Sequence, residues 1–101
     1  MNYPKLPSFR LDGKNALITG AGRGIGMGAS IALAESGANV TLVSRTDSEL
    51  KELTKHINSL GYKASYVVID VNDEKAITKL IEDTDPFDIL INNAGTNKPA
   101  K

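Results

Sequence analysis

Eight consecutive residues, Thr19-Gly20-Ala21-Gly22-Arg23-Gly24-Ile25-Gly26, carry a glycine at every second position. That density suits the binding of a phosphate or diphosphate. Its oxygens need backbone N–H groups close by, a Cβ would hold the chain away, and glycine accepts positive φ without penalty. Gly20 can make the turn, Gly24 can let the backbone approach the anion, and Gly26 can let neighbouring elements pack closely. About 20 residues further on stand Ser44 and Arg45. A hydroxyl and a planar guanidinium donate hydrogen bonds to a phosphate, whereas a carboxylate there would repel it. Arg23 can converge on the same group. Taken singly, the glycines also fit a tight turn that serves the backbone alone, and the arginines fit a solvated surface.

The elements around these residues decide between the readings. Four short apolar runs, Ala16 to Ile18, Val40 to Val43, Tyr66 to Ile69 and Ile89 to Ile91, are rich in β-branched residues and too short for core helices. Between them lie segments of helical periodicity, so the expected order is βαβαβαβ with a parallel sheet. The first helix is predicted from about Gly24 to Ser36, turning Ile25, Ala29, Ala32 and Leu33 toward the sheet and stopping at Gly37. The second starts at a capping box, Thr46 with Glu49, and aligns Leu50, Leu53, Ile57 and Leu60 before Gly61. The third begins near Asn72 or Asp73 and buries Ile77, Leu80 and Ile81, with Pro86 marking the loop beyond.

The glycine stretch therefore follows a strand and opens a helix inside a βαβ unit, the setting a dinucleotide fingerprint requires. The helix dipole adds to the attraction for a diphosphate. In this fold an acid at the end of the second strand binds the adenosine ribose 2′-hydroxyl; Ser44 and Arg45 in its place favour NADP(H) over NAD(H). The fold class is expected to be α/β, a Rossmann-type doubly wound parallel sheet, truncated after the fourth strand if it follows the family resemblance given below.

Together with Asp70-Val71 after the third run and Asn92-Asn93-Ala94-Gly95 after the fourth, the TGAGRGIG turn resembles the short-chain dehydrogenase/reductase family. The Leu11-Asp12-Gly13-Lys14 lead-in is similar to members of the 3-oxoacyl-(acyl-carrier-protein) reductase type. The resemblance implies a cofactor site made of Gly20, Gly22, Arg23, Gly24, Ile25, Gly26, Ser44, Arg45, Asp70, Val71, Asn93, Ala94 and Gly95. Within it, Asp70 contacts the adenine amino group, Val71 flanks the ring and Asn93 to Gly95 line the cofactor near its ribose, while Asn92, outside it, ties adjacent strands. It also implies hydride transfer between the nicotinamide and a carbonyl or alcohol carbon, a chemistry the cofactor carries. Such enzymes move the proton with a tyrosine, a lysine four residues later, and a serine. Here the residues four positions after Tyr3, Tyr62 and Tyr66 are Pro7, Tyr66 and Asp70, so no catalytic residue is assigned. The chain is expected to be the cofactor-binding half of such an oxidoreductase, inactive alone, with a small substrate and a homo-oligomeric state belonging to the complete enzyme.

Totals narrow the field further. Twelve basic and twelve acidic side chains cancel, so no overall field draws the chain to nucleic acid or an anionic membrane. With no cysteine and a single histidine, His56, neither a disulfide nor a ligand cluster for a metal is expected. Met1 to Arg10 lacks the apolar stretch of a signal peptide, and a cytoplasmic location is expected. At 101 residues there is room for one domain, taken as residues 13–101 behind an arm of residues 1–12. Two other functions share the motifs: a non-catalytic NADP(H)-binding module, and a methyltransferase using S-adenosylmethionine, although the latter commonly wants an acid at Ser44 or Arg45. A reading frame continuing past Lys101 with the Tyr/Lys pair favours the enzyme, and a natural stop there favours the module.

Overall fold

The structure, a computed structural model, describes residues 10–93. Three helices alternate with four strands: β1 (Asn15–Thr19), α1 (Gly24–Glu35), β2 (Asn39–Ser44), α2 (Asp47–Ser59), β3 (Lys63–Val68), α3 (Glu74–Asp83) and β4 (Ile89–Asn92). All strand pairs are parallel, in the order β3-β2-β1-β4. The expected α/β class and strand count are thus present.

Alternation along the strands sorts the two faces of the sheet. Ala16, Ile18, Val40 and Leu42 form a core with Ala34 of α1 and with Leu50, Leu53 and Ile57 of α2. Both helices therefore cover one face, as right-handed crossovers from β1 to β2 and β2 to β3 demand. The chain then returns across the whole sheet to β4, and the same handedness carries α3 over the opposite face. There, Asp83 and Thr84 border a shallow groove with Thr41, whose side chain lies opposite to those of Val40 and Leu42.

α1 is one residue out of phase with the sequence expectation. Gly26, Ser30 and Ala34 are its buried residues, Ala32 is exposed, and Ile25 is 80% exposed. Apolar residues lie all around this helix, so hydrophobicity does not select a face; close approach to the sheet does, and it selects the smallest side chains. Ser30 satisfies its buried hydroxyl by donating to the Gly26 carbonyl at 2.7 Å. The helix ends as expected at Gly37, which has φ 101°. A Cβ at Gly37 would stand on the Asp12 carboxylate, and the Leu11 amide donates to Ser36 O at 2.7 Å, so residues 10–12 are bound to the end of α1. Arg10 also donates to Glu35 O at 3.0 Å and pairs with Asp12 at 2.6 Å. Residues 1–9 of the expected arm lie outside the described residues.

In α2 the stripe of Leu50, Leu53 and Ile57 is buried as expected, while Leu60 falls past the last turn and is half exposed. The capping box does not form: Thr46 is the N-cap but makes no side-chain cap bond. β3 starts three residues before the expected run and ends one residue earlier than expected. Lys63, Ala64 and Ser65 pair with Asn39, Val40 and Thr41 although they are not an apolar run, because an edge strand is held by its ladder and needs only one buried face. α3 opens with Asp73 accepting from the Ala76 amide at 3.1 Å, but it has no fully buried residue. Ile77 and Leu80 are half-buried and Ile81 is exposed, contrary to the expected burial of all three.

Candidate cofactor-binding site

The glycine turn divides its labour residue by residue. Gly20 leaves β1 with φ 64° and Gly24 begins α1 with φ 59°, both in the left-handed region that disfavours other residues. Nothing lies within 4 Å of where a Cβ on Gly24 would stand, so the space above it is open. Gly26 is the reverse case: a Cβ there would collide with the Gly20 carbonyl and approach Asn93 Nδ2 to 2.9 Å. Between them Ala21 is fully buried and its amide reaches Val43 O at 3.3 Å, which pins the turn to β2. The first helical bond runs from Met27 N to Arg23 O, so the amides of Gly24, Ile25 and Gly26 precede it and belong to the free N-terminal turn.

β4 completes the site from the other side. Thr19 donates its hydroxyl to Asn92 Oδ1 at 3.0 Å and accepts the Asn93 amide at 3.1 Å, while Asn93 Nδ2 donates to Gly20 O at 3.4 Å. Asn92 thus joins β4 to β1, as expected of it, and Asn93 is brought onto the glycine turn. Ala94 and Gly95 lie outside the described residues.

Ser44 and Arg45 stand at the C-terminal end of β2, beside the turn. Ser44 Oγ accepts the Thr46 amide at 3.2 Å, and Arg45 is exposed. Arg23 is not turned to share a phosphate with Arg45; its guanidinium pairs with Glu49 at 3.2 Å. Glu49 does not close the expected capping box with Thr46 and instead pairs across the turn. Its spacing from Thr46 is that of a capping box, and no sequence signal distinguishes that role from one across the turn. Asp70 is exposed beyond β3, where its carboxylate accepts the Asn72 amide at 2.9 Å and its carbonyl the Asp73 amide at 2.8 Å. It shapes the turn before α3, with Val71 half-buried next to it. Burial first, then Asp47 of α2, holds the Tyr66 phenol above its usual pKa, so that group is neutral near pH 7.

Among the described residues no group of three or more His, Cys, Asp or Glu could hold a metal ion, and His56 is exposed. None of their helices is long and apolar enough to cross a membrane.

A parallel α/β sheet whose first strand-to-helix turn is rich in glycine and lies at its C-terminal edge defines a class, the nucleotide-binding doubly wound folds. Within that class the chain belongs to the short chain dehydrogenase family, whose sequence profile matches residues 14–101. It is similar to gluconate 5-dehydrogenase of Gluconobacter oxydans, with 41% identity over 99% of this chain and 40% of that enzyme. Among solved structures, a 3-oxoacyl (acyl-carrier-protein) reductase of Agrobacterium tumefaciens with NADP bound superposes with a TM-score of 0.82 at 34% identity, covering 92% of this chain and 37% of that one. A hydroxysteroid dehydrogenase of Escherichia coli superposes with a TM-score of 0.81 at 37% identity, covering 89% and 40%. The chain therefore spans about 40% or less of the length of curated relatives such as this one.

Proposed function

We propose that this chain is the NADP(H)-binding half of an oxidoreductase that transfers a hydride between the nicotinamide and a carbonyl or alcohol substrate. The observation that carries the reading is the contrast between Gly24 and Gly26. One glycine, at positive φ, fronts open space at the helix N-terminus, while the other is packed hard against the turn. Positive φ alone would account for a glycine at position 24; its place at the N-terminus of α1, with open space beside it, is what suits an anion.

The residues present fit a dinucleotide. The amides of Gly24, Ile25 and Gly26 would hold the diphosphate, helped by the α1 dipole. Ser44 and Arg45 would receive a 2′-phosphate, since neither is the acid that at the end of β2 prefers the free hydroxyl. Asp70, Val71, Asn93, Ala94 and Gly95 would line the adenine and ribose. When bound, the cofactor supplies the hydride chemistry. What this chain contributes is binding and orientation: Asn93, fixed by Thr19 and Gly20, sets the edge of the site next to β4. Proton transfer needs residues that these 101 do not contain, so the chain alone is inactive in this reading. A small substrate and assembly into a homo-oligomer belong to the complete enzyme, with a cytoplasmic location.

Titration of the chain with NADPH and NADH tests the assignment. Tighter binding of NADPH is expected, and Arg45→Ala should narrow the gap. Equal affinities would refute the cofactor preference.

A further inference from the structure

The carboxylate of Glu49 lies across the glycine turn. It pairs with Arg23 at 3.2 Å, and a Cβ on Gly22 would stand 2.7 Å from its Oε1. The two partners are not equally free: the Arg23 side chain is 79% exposed and that of Glu49 only 33%. Glu49 belongs to the first turn of α2, and Leu50 and Leu53 anchor that helix in the core. Arg23 can therefore swing away, whereas Glu49 stays beside the turn.

We propose that Glu49 is a specificity-determining residue that competes with the adenosine 2′-phosphate for Arg23, and so lowers the preference for NADP(H) below what Arg23 and Arg45 provide. The inference rests on the cofactor reading above. A 2′-phosphate that recruits Arg23 must displace the Glu49 carboxylate and then sit near its negative charge. NADH makes no such demand, because its 2′-hydroxyl leaves the ion pair intact. An exposed pair of this kind is weak, so its removal should change NADPH affinity by only about two- to fivefold. Salt should shrink the effect, since Arg23 is exposed and Glu49 partly so.

The test is calorimetric titration of the 101-residue chain with NADPH and with NADH at low and high salt, for the unaltered chain, Glu49→Gln, Arg23→Gln and the double variant. Glu49→Gln should tighten NADPH binding by about two- to fivefold and leave NADH within about twofold; the gain should shrink, to what direct repulsion of the phosphate leaves, when Arg23 is also replaced. Glu49→Ala, checked by circular dichroism for an intact α2, should move affinity in the same direction. Unchanged or weaker NADPH binding in both Glu49 variants overturns the inference, as does a gain that is undiminished without Arg23. If the unaltered chain binds the two nucleotides equally, the preference proposed above fails. The role of Glu49 then stands only if selectivity emerges in Glu49→Gln. Binding of neither nucleotide overturns both.

Discussion

The Gly20 carbonyl occupies the place where a side chain on Gly26 would begin, so the turn and the first coil of α1 share one small volume. Gly26→Ala forces backbone apart rather than a side chain aside. The expected loss is about 1–3 kcal/mol, read as a fall of roughly 4–8 °C in melting temperature per kcal/mol. Nucleotide binding should fall with it, because Asn93 Nδ2 is displaced by the same methyl group. A melting temperature within about 1 °C of the unaltered chain would show that the turn is looser than this packing implies.

Gly24→Ala separates binding from stability. No neighbour meets the new Cβ, and only the φ of 59° resists it, for roughly 1–2 kcal/mol. The same methyl intrudes into the open space above the helix amides. Nucleotide affinity should therefore drop much further than stability, and titration alongside a urea melt compares the two.

How much of this was legible in sequence depended on whether hydrophobicity carried the information. The α2 stripe of Leu50, Leu53 and Ile57 was readable because polar residues separate large apolar ones. In α1 apolar residues surround the helix, and the face that packs is chosen by size, so the apolar pattern turns Ile25 inward although it points to solvent. The first half of β3 was hidden because Lys63 and Ser65 are polar. Glycines and Asn93 announced the turn, whereas the contact of Arg23 with Glu49 depends on where α2 enters relative to the turn, which no local spacing encodes.

Thr54 offers a gain rather than a loss. Its hydroxyl oxygen is buried in α2 without a hydrogen-bond partner. Thr54→Val keeps the shape and removes the stranded polar atom, so stability should rise by about 0.5–2 kcal/mol in a urea titration. Leu50→Ala, in the same helix and fully buried, should cost about 2–5 kcal/mol. Ile81→Ala in α3 should cost well under that, because nearly half of Ile81 already faces water.

Acid should weaken the tie between the N-terminal segment and α1. The hydrogen bond from Arg10 holds the Asp12 carboxyl below the usual carboxylate range. The stabilisation is thus complete above the unfolded carboxylate pKa and disappears as pH falls through the lowered folded value. Melting temperatures of the unaltered chain and Asp12→Asn should differ at neutral pH and converge below about pH 3. A constant difference across that range would remove the ion pair as the cause.

Strand order carries a consequence for assembly. β4 pairs with β1 across a far longer stretch of chain than separates the other paired strands, and the helix that brings it round has no fully buried residue. Distant pairings of this kind form late in folding and open early on unfolding. Since Asn93 rides on that strand, a ligand resting on the glycine amides would act as a clasp on the last seam to shut, slowing amide exchange in β4 before any other part of the sheet.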